Sequence, residues 1–359
     1  MDKKRIEWID ITKTIAIFLV VLTHSTEEVY GYFMYGNGVA GKAEYLCASI
    51  GFVLGRLGVP LFIFTSGFLL FNKSFYSLDD VICFYKKNLL PIFITNFAWV
   101  IIYNIFDKLY FHIQVTPIEI IKEVLGLQIV PNMWHMWYIP CLFFLYFITP
   151  LVSYILKKLP KMFFWFILVF AIGYCFVLPT LLSVKSIFAI NIPCINSITV
   201  IEFGGITWFI VYAVIGNKIT YSIKSTLMPI SFIALTIGIQ YVSFVNGVKY
   251  LMWYNNILIL AAAFSLFRML ANIELSDSSV FQMTIRSFFE FMGKHSFAVF
   301  YIHMIIRHLC SPWIAWMSIN RAIRVLVLEV VCILGSILVI VLIEQLKIKP
   351  LNRVLLFQK

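Results

Sequence analysis

The chain has 359 residues, of which 62% are hydrophobic and only 13% charged, and its mean hydropathy is +0.93. Soluble domains carry roughly 25% charged residues, so this composition excludes a soluble globular protein and predicts an integral membrane protein. The net charge of +11 does not indicate nucleic-acid binding, because the basic residues lie in short loops between apolar runs. The seven cysteines are scattered without metal-ligand spacing, so no metal site is expected.

Apolar runs of about 20 residues, long enough to cross a bilayer, recur along the whole chain. We therefore predict an all-α, polytopic membrane protein with about ten transmembrane helices, in which residues 1–359 form a single membrane domain. The expected spans lie near residues 9–31, 47–71, 84–106, 134–156, 162–182, 199–216, 227–246, 250–271, 288–312 and 323–345.

The distribution of basic residues predicts the orientation. With Arg56 set aside inside the second span, nineteen of the 28 Lys and Arg residues fall on the side of the N-terminus and eight on the opposite side. Lys and Arg accumulate in cytoplasmic loops, so both termini are predicted to be cytoplasmic.

The first span carries ionisable residues on an otherwise apolar helix. Such groups are costly at bilayer depth and usually face a cavity or another helix, which indicates function. Asp10, Lys13 and His24 fall on one helical stripe. Arg5, Asp10 and Lys13 either form an interfacial ion pair that anchors the helix, or provide a binding surface at the cytoplasmic mouth of a cavity.

His24 is the leading catalytic candidate, because an imidazole titrates near neutral pH and suits general-base work. Glu27 at i+3 and Glu28 at i+4 lie on the same helix face, and either carboxylate can orient the ring. The alternative is an interfacial histidine that bonds a neighbouring helix.

Arg56 lies within the second apolar run and needs a carboxylate or carbonyl partner. Glu27 or Glu28 is the natural partner, since both are expected in the outer half of the membrane. Helix packing explains the glycines around Arg56, but it does not explain the arginine.

Three further groups of polar and aromatic residues lie at the starts of the third and fourth predicted spans and within the ninth. Lys86 and Lys87 form a basic pair at the cytoplasmic entry of the third, which suits either lipid headgroups or the phosphates of an anionic co-substrate. Trp134, His135, Trp137 and Tyr138 open the fourth span from the outside, where Trp and Tyr are expected in an interfacial belt in any case. The alternative is an acceptor pocket lined by His135, for which this segment alone is a weak signal. His303 follows His295 by two turns inside an apolar run and is a packing or cavity residue.

These segments, in this order, resemble the acyltransferase-3 family of multi-span bacterial membrane acyltransferases. The matching motifs are Arg5…Asp10…Lys13…His24-Ser25, Val59-Pro-Leu-Phe…Ser66-Gly67-Phe68, Tyr85-Lys86-Lys87…Pro91, Trp134-His135-Met-Trp137-Tyr138 and Gly293-Lys-His-Ser296…Tyr301-Ile-His303. The sequence departs from the family pattern in two places, since Lys-Lys-Asn stands where the family often has paired arginines, and Lys13 stands where arginine is common.

The resemblance implies transfer of an acyl group, commonly acetyl, from cytoplasmic acyl-CoA to a hydroxyl of a cell-surface glycan or a lipid-linked saccharide. It implies acyl-CoA as a co-substrate rather than a tightly bound cofactor, an essential first-span histidine, and the bacterial cytoplasmic membrane as the location. We expect a stand-alone member without a fused hydrolase-like domain, with a homodimer left open.

Within that reaction, His24 deprotonates the acceptor hydroxyl or carries the acyl group transiently, and the sequence does not separate the two. Arg56 or a backbone donor is expected to stabilise the oxyanion. Acyl-CoA phosphates are expected near Lys86, Lys87 and Lys13, and the acceptor near the outer aromatic segment.

A transporter of a glycan or acyl donor is the main alternative, because ten spans and a buried charge stripe suit a carrier as well. No half-to-half sequence match of the kind typical of repeat-built transporters is visible. A catalytically inactive sensor or scaffold of the same fold is a third possibility.

Overall fold

In the computed structural model, helices make up most of the described chain, and the described residues contain no strand. The described residues are 7–31, 41–188, 206–218, 226–248, 252–275 and 279–357. Arg5, predicted as part of the co-substrate surface, lies outside these ranges. Within them, the helices in chain order are α1 Glu7–Tyr30, α2 Lys42–Gly55, α3 Gly58–Leu70, α4 Leu78–Phe84, α5 Leu90–Tyr110, α6 Pro117–Val124, α7 Tyr138–Lys158, α8 Lys161–Ile172, α9 Leu178–Phe188, α10 Ile206–Asn217, α11 Leu227–Val245, α12 Ile257–Leu270, α13 Val280–Ala315, α14 Arg321–Gln345 and α15 Lys349–Leu355.

The prediction of an all-α polytopic membrane protein is confirmed. Eight helical stretches of the described chain are long and apolar enough to cross a membrane. They are Glu7–Tyr30, Lys42–Leu70, Leu78–Tyr110, Trp134–Lys158, Lys161–Phe188, Leu227–Val245, Val280–Ala315 and Arg321–Gln345. The two remaining predicted spans, 199–216 and 250–271, overlap the shorter apolar helices Thr207–Asn217 and Ile257–Leu270 in their described parts.

Two of the long stretches contain a widened helical turn. A π-turn at Tyr85–Leu89 joins α4 to α5, and another at Gly173–Val177 joins α8 to α9. The i+5 pattern of such a turn inserts an extra residue and bulges the helix, often at functional positions. Lys86 and Lys87 both lie in the first of these bulges.

The chain divides into two compact units built from discontinuous segments. The first unit comprises the described residues within Met1–Leu69, Pro160–Gly293 and Cys310–Val331. Helix α1 packs there against α2 and α12, and α11 packs against the same two helices. The core at one end of α1 is aromatic: the Trp8 ring lies 5.0 Å from Phe68 and 5.6 Å from Phe267.

The second unit comprises the described residues within Leu70–Leu159, Lys294–Leu309 and Cys332–Lys359. Helix α5 packs against α6, α7 and α15. The Trp99 ring stacks on Tyr301 at 5.3 Å, and Trp99 Nε1 donates to the Leu355 carbonyl at 3.2 Å, which fastens α15 to this unit. Helices α13 and α14 contribute residues to both units.

Candidate active site

The imidazole of His24 is held by one carboxylate of its own helix. The distance from His24 Nδ1 to Glu27 Oε2 is 3.0 Å, and the two side chains are 14% and 8% exposed. Residues three apart on a helix are neighbours, so this contact follows directly from the sequence spacing. Glu28 is exposed, and the carboxylate at hydrogen-bond distance from His24 Nδ1 is that of Glu27.

The same carboxylate also binds Arg56. Arg56 Nη2 donates to Glu27 Oε1 at 2.6 Å, and the Arg56 side chain is 4% exposed. Glu27 therefore connects His24 and Arg56, with one oxygen on each. Charge-assisted hydrogen bonds of this kind are short and about twice as strong as neutral ones.

Small residues bring Arg56 close enough to reach Glu27. Gly51 and Gly55 lie one turn apart on α2 and face Thr26 and Thr23 of α1, where an added Cβ would overlap the threonine side chains. Small residues four apart let membrane helices approach closely. Arg56 follows Gly55 at the C-terminal cap of α2, so the close approach positions its guanidinium beside α1.

The hydrogen bond fixes which imidazole nitrogen is basic. An ionised carboxylate only accepts hydrogen bonds, so Nδ1 carries the hydrogen in the neutral ring and Nε2 carries the lone pair. This tautomer is assigned from the hydrogen-bond pattern. In this tautomer His24 Nε2 is the basic nitrogen, the one that can accept a proton or attack a carbonyl carbon.

Two aromatic residues complete the surroundings of Arg56. Its Nη1 donates to Tyr254 Oη at 3.2 Å, and its guanidinium carbon lies 4.4 Å from the centre of the Trp253 ring. Sequence reasoning missed both residues, because the Trp253-Tyr254 pair falls at the edge of a predicted span and resembles an interfacial belt. The sequence signal that could have indicated them was Arg56, because an arginine in an apolar environment needs more than one partner.

Asp10 and Lys13 occupy the other end of α1. Lys13 precedes His24 by eleven residues, or about 16 Å along the helix axis, so these residues do not contact the imidazole. Asp10 is buried against Gly293 of α13, where an added Cβ would lie 2.7 Å from the Asp10 Cα and Cβ. Lys13 is half-buried.

In the second unit, Lys86 and Lys87 are both exposed on the π-turn. Lys86 borders an apolar groove of about 490 Å³ between the α4–α5 helix and α7, whose walls include Phe93 and Phe147. Tyr85 closes one side: its ring stacks on Phe147 at 6.0 Å and its hydroxyl donates to the Phe147 carbonyl at 2.7 Å.

The predicted acceptor residues also belong to the second unit, and they differ in accessibility. Trp134 is 69% exposed and Trp137 half-buried, whereas His135, Tyr138 and His303 are buried. The His135 and His303 rings lie 5.3 Å apart, edge to face. Three of the five side chains therefore lie in the protein interior.

Both histidines have a defined tautomer in their neutral forms. Tyr103 Oη donates to the Tyr301 carbonyl at 2.6 Å, so at 3.2 Å it accepts the hydrogen of His135 Nε2. His303 Nδ1 donates to the Val299 carbonyl at 2.9 Å. Tyr103, which sequence reasoning did not select, thus orients His135.

A comparison with protein families now identifies the chain. A family model described as an acyltransferase domain matches residues 6–344, which is nearly the whole sequence. The chain belongs to the acyltransferase-3 family. No curated protein and no solved structure matches it in the corresponding comparisons.

The contacts of Glu27 with His24 and Arg56 suit an acyltransferase. A histidine with a fixed tautomer and an orienting carboxylate is the arrangement that other acyl-transfer sites use to move a proton. Among the described residues, no group of three or more His, Cys, Asp and Glu side chains has a geometry that could hold a metal ion.

The segment between α5 and α7 adds a polar cluster that the sequence did not predict. Thr116 and Glu119 form a capping box that starts α6, and these hydrogen bonds lower the pKa of Glu119. Glu123 is buried against α5, where Asn104 Nδ2 donates to its Oε2 at 2.7 Å. Burial raises the pKa of Glu123 above its ordinary value.

Proposed function

We propose that this acyltransferase moves an acyl group, with acetyl the expected one, from cytoplasmic acyl-CoA to a hydroxyl of a cell-surface glycan or lipid-linked saccharide. The observation that carries the proposal is the contact between His24 Nδ1 and Glu27 on a membrane helix of an acyltransferase-3 chain. The proposed location is the bacterial cytoplasmic membrane.

In the direct form of the reaction, His24 Nε2 takes the proton of the acceptor hydroxyl. The acceptor oxygen then bonds to the thioester carbonyl carbon, the carbon–sulfur bond breaks, and the CoA thiolate leaves with the proton from Nε2. In the stepwise form, Nε2 bonds to the thioester carbonyl carbon, the carbon–sulfur bond breaks, and CoA leaves as the thiolate. The acceptor oxygen then bonds to the acyl carbon, the bond from that carbon to Nε2 breaks, and the hydroxyl proton passes to the CoA thiolate. Both forms use the nitrogen that Glu27 leaves basic.

The exposed Lys86 and Lys87 are the proposed contacts for the CoA phosphates, since ammonium groups bind phosphate as point charges. Trp134 and Trp137 are the proposed surface for a sugar ring, and His135, Tyr138 and His303 are proposed to support that surface from the interior. Replacing Lys86 and Lys87 by Gln should raise the KM for acyl-CoA with little change in kcat.

The experiment that tests the proposal measures transfer of radiolabelled acetyl from acetyl-CoA into envelope material by membranes that contain the protein. A general base contributes roughly 10²- to 10⁴-fold in rate, so His24→Ala should nearly abolish labelling at equal protein level. His112→Asn, at an exposed histidine of a loop, is the matched control and should label like wild type. More than a tenth of wild-type labelling by His24→Ala would exclude His24 from the reaction.

Release of CoA thiol by the purified protein separates the proposal from its alternatives. An acyltransferase releases thiol in proportion to the acyl group transferred, whereas a transporter or an inactive scaffold releases none. Label on the protein that hydroxylamine removes and that is absent from His24→Ala would select the stepwise form.

A further inference from the structure

Arg56 is enclosed on three sides by groups that bind its guanidinium. Glu27 accepts from Nη2 at 2.6 Å, Tyr254 Oη accepts from Nη1 at 3.2 Å, and the Trp253 ring lies 4.4 Å below the planar group. The residue as a whole is 3% exposed. Each terminal nitrogen therefore has a protein partner, and together these contacts fix the orientation of the guanidinium.

Tyr254 is itself held at several points. Its backbone carbonyl accepts from Tyr212 Oη at 2.8 Å, and its ring stacks on Trp208 at 5.3 Å. The segment that carries Trp253 and Tyr254 ends at Asn256, whose side chain caps α12 by accepting from Leu258 N at 2.9 Å. The phenol that meets Arg56 is thus fixed by α10 and by the start of α12.

We propose that Tyr254 and Trp253 are positioning residues of the acyltransferase. They hold the Arg56 guanidinium in the orientation that binds Glu27, and Glu27 in turn holds His24 with its hydrogen on Nδ1 and its lone pair on Nε2. Arg56 then acts on His24 through Glu27. The inference depends on the proposed function only where it predicts an effect on the rate of acyl transfer.

A spectroscopic test reads the effect on His24 without any substrate. In protein labelled with ¹⁵N at histidine, His24 is assigned by the signals that disappear in His24→Ala, and its two nitrogen shifts report the tautomer. Wild type should show the Nδ1–H form. Tyr254→Phe, which removes only the hydroxyl, and Trp253→Leu, which removes the ring below the guanidinium, should each convert His24 into a mixture of both tautomers.

The other five histidines provide the internal control for folding. The controls Tyr45→Phe and Trp165→Leu change the same residue types at positions of the first unit that do not contact Arg56, and both should leave the His24 signals unchanged. A variant that preserves the five remaining histidine signals is folded, so a change confined to His24 supports positioning. Wild-type His24 signals in folded Tyr254→Phe and Trp253→Leu would overturn the inference.

Turnover provides the second readout. Loss of one hydrogen bond to a charged group typically corresponds to about a tenfold change or somewhat more, so Tyr254→Phe should lower kcat by roughly tenfold with an unchanged KM for acyl-CoA. A fall in kcat without any tautomer change would also overturn the inference, because Tyr254 would then act by another route. If wild type transfers no acyl group, the proposed function fails while the tautomer result still decides the positioning role.

Discussion

The ion pair between Glu27 and Arg56 should couple α1 to α2 strongly, and a double-mutant cycle measures that coupling. The two side chains are 8% and 4% exposed and their charged atoms are 2.6 Å apart. Removing one partner of a buried pair costs about 3–5 kcal/mol, because the other charge is left without compensation. Tyr254 and Trp253 still solvate Arg56 partly when Glu27 is lost, so we expect the lower end of this range for Glu27→Gln.

Removing both charges should cost far less than the sum of the two single changes, since no uncompensated charge remains. The free energy of unfolding of wild type, Glu27→Gln, Arg56→Met and the double variant can be measured by SDS titration in mixed micelles. We expect a coupling energy of about 2–3 kcal/mol, at the upper end of the values found for contacting residues.

A second pair in the same unit serves as the matched control. Arg286 Nη2 and Glu7 Oε1 are 3.0 Å apart, but the side chains are 26% and 36% exposed. Exposed ion pairs contribute about 0–1 kcal/mol, so the Glu7→Gln and Arg286→Met cycle should show a coupling energy below about 1 kcal/mol. Additive effects of the Glu27 and Arg56 changes, within about 0.5 kcal/mol, would refute the argument that this pair is buried and coupled.

Two other predictions concern packing and pH. Gly55→Ala should lower the free energy of unfolding by about 1–3 kcal/mol, because the new Cβ would meet the Thr23 backbone as well as its side chain. The control Gly238→Ala, with open space around it, should stabilise the protein slightly. Equal effects of the two substitutions in mixed-micelle titrations would contradict the close approach of α2 to α1. Burial raises the pKa of Glu123, so the folded state binds the carboxyl proton of Glu123 more tightly than the unfolded state does. The free energy of unfolding should therefore fall as the pH rises from the ordinary glutamate pKa to the raised one. Glu123→Gln should keep the hydrogen bond from Asn104 and abolish this decline, and an unchanged pH dependence of the melting temperature would exclude Glu123 as its source.

The membrane helices were predictable because a bilayer imposes one strong requirement on sequence. A spanning segment must be apolar for about 20 residues and must satisfy its own backbone hydrogen bonds, so hydropathy located the eight described stretches that are long enough to cross a membrane. It could not locate their ends. Helix α13 begins at Val280, eight residues before the predicted start at 288, because Ser279 caps it by accepting from Gln282 N at 3.2 Å.

Short helices outside the apolar runs left no mark in hydropathy. Helix α6 occupies eight residues of the segment predicted as a linker at 107–133, and it is started by the capping box of Thr116 and Glu119. A search for capping boxes would have indicated it. Its burial against α5 depends on tertiary contacts of Glu123 that no local pattern contains.

The site was predictable to the extent that it is local. His24 and Glu27 are three residues apart, and helical spacing alone brings them together. The choice between Glu27 and Glu28 depends on where α2 lies, because Arg56 approaches the face that carries Glu27. Tyr254 is 198 residues from Arg56 along the chain, and no spacing rule connects two positions that meet only in the folded structure.

Arg56 lies at the break between α2 and α3 and binds Glu27 of α1, the helix that also carries His24. The apolar stretch Lys42–Leu70 is interrupted just after Gly55, and α3 starts at Gly58, whose added Cβ would meet the Ala16 carbonyl of α1. Glycines on both sides of Arg56 therefore pack against α1, which brings the arginine between them within reach of the Glu27 carboxylate on that helix. An arginine here is costly unless it is paired, so the pair with Glu27 both stabilises the interrupted helix and fixes the basic nitrogen of His24. A sequence that only anchored α1 in the membrane would need neither the interruption nor the charge.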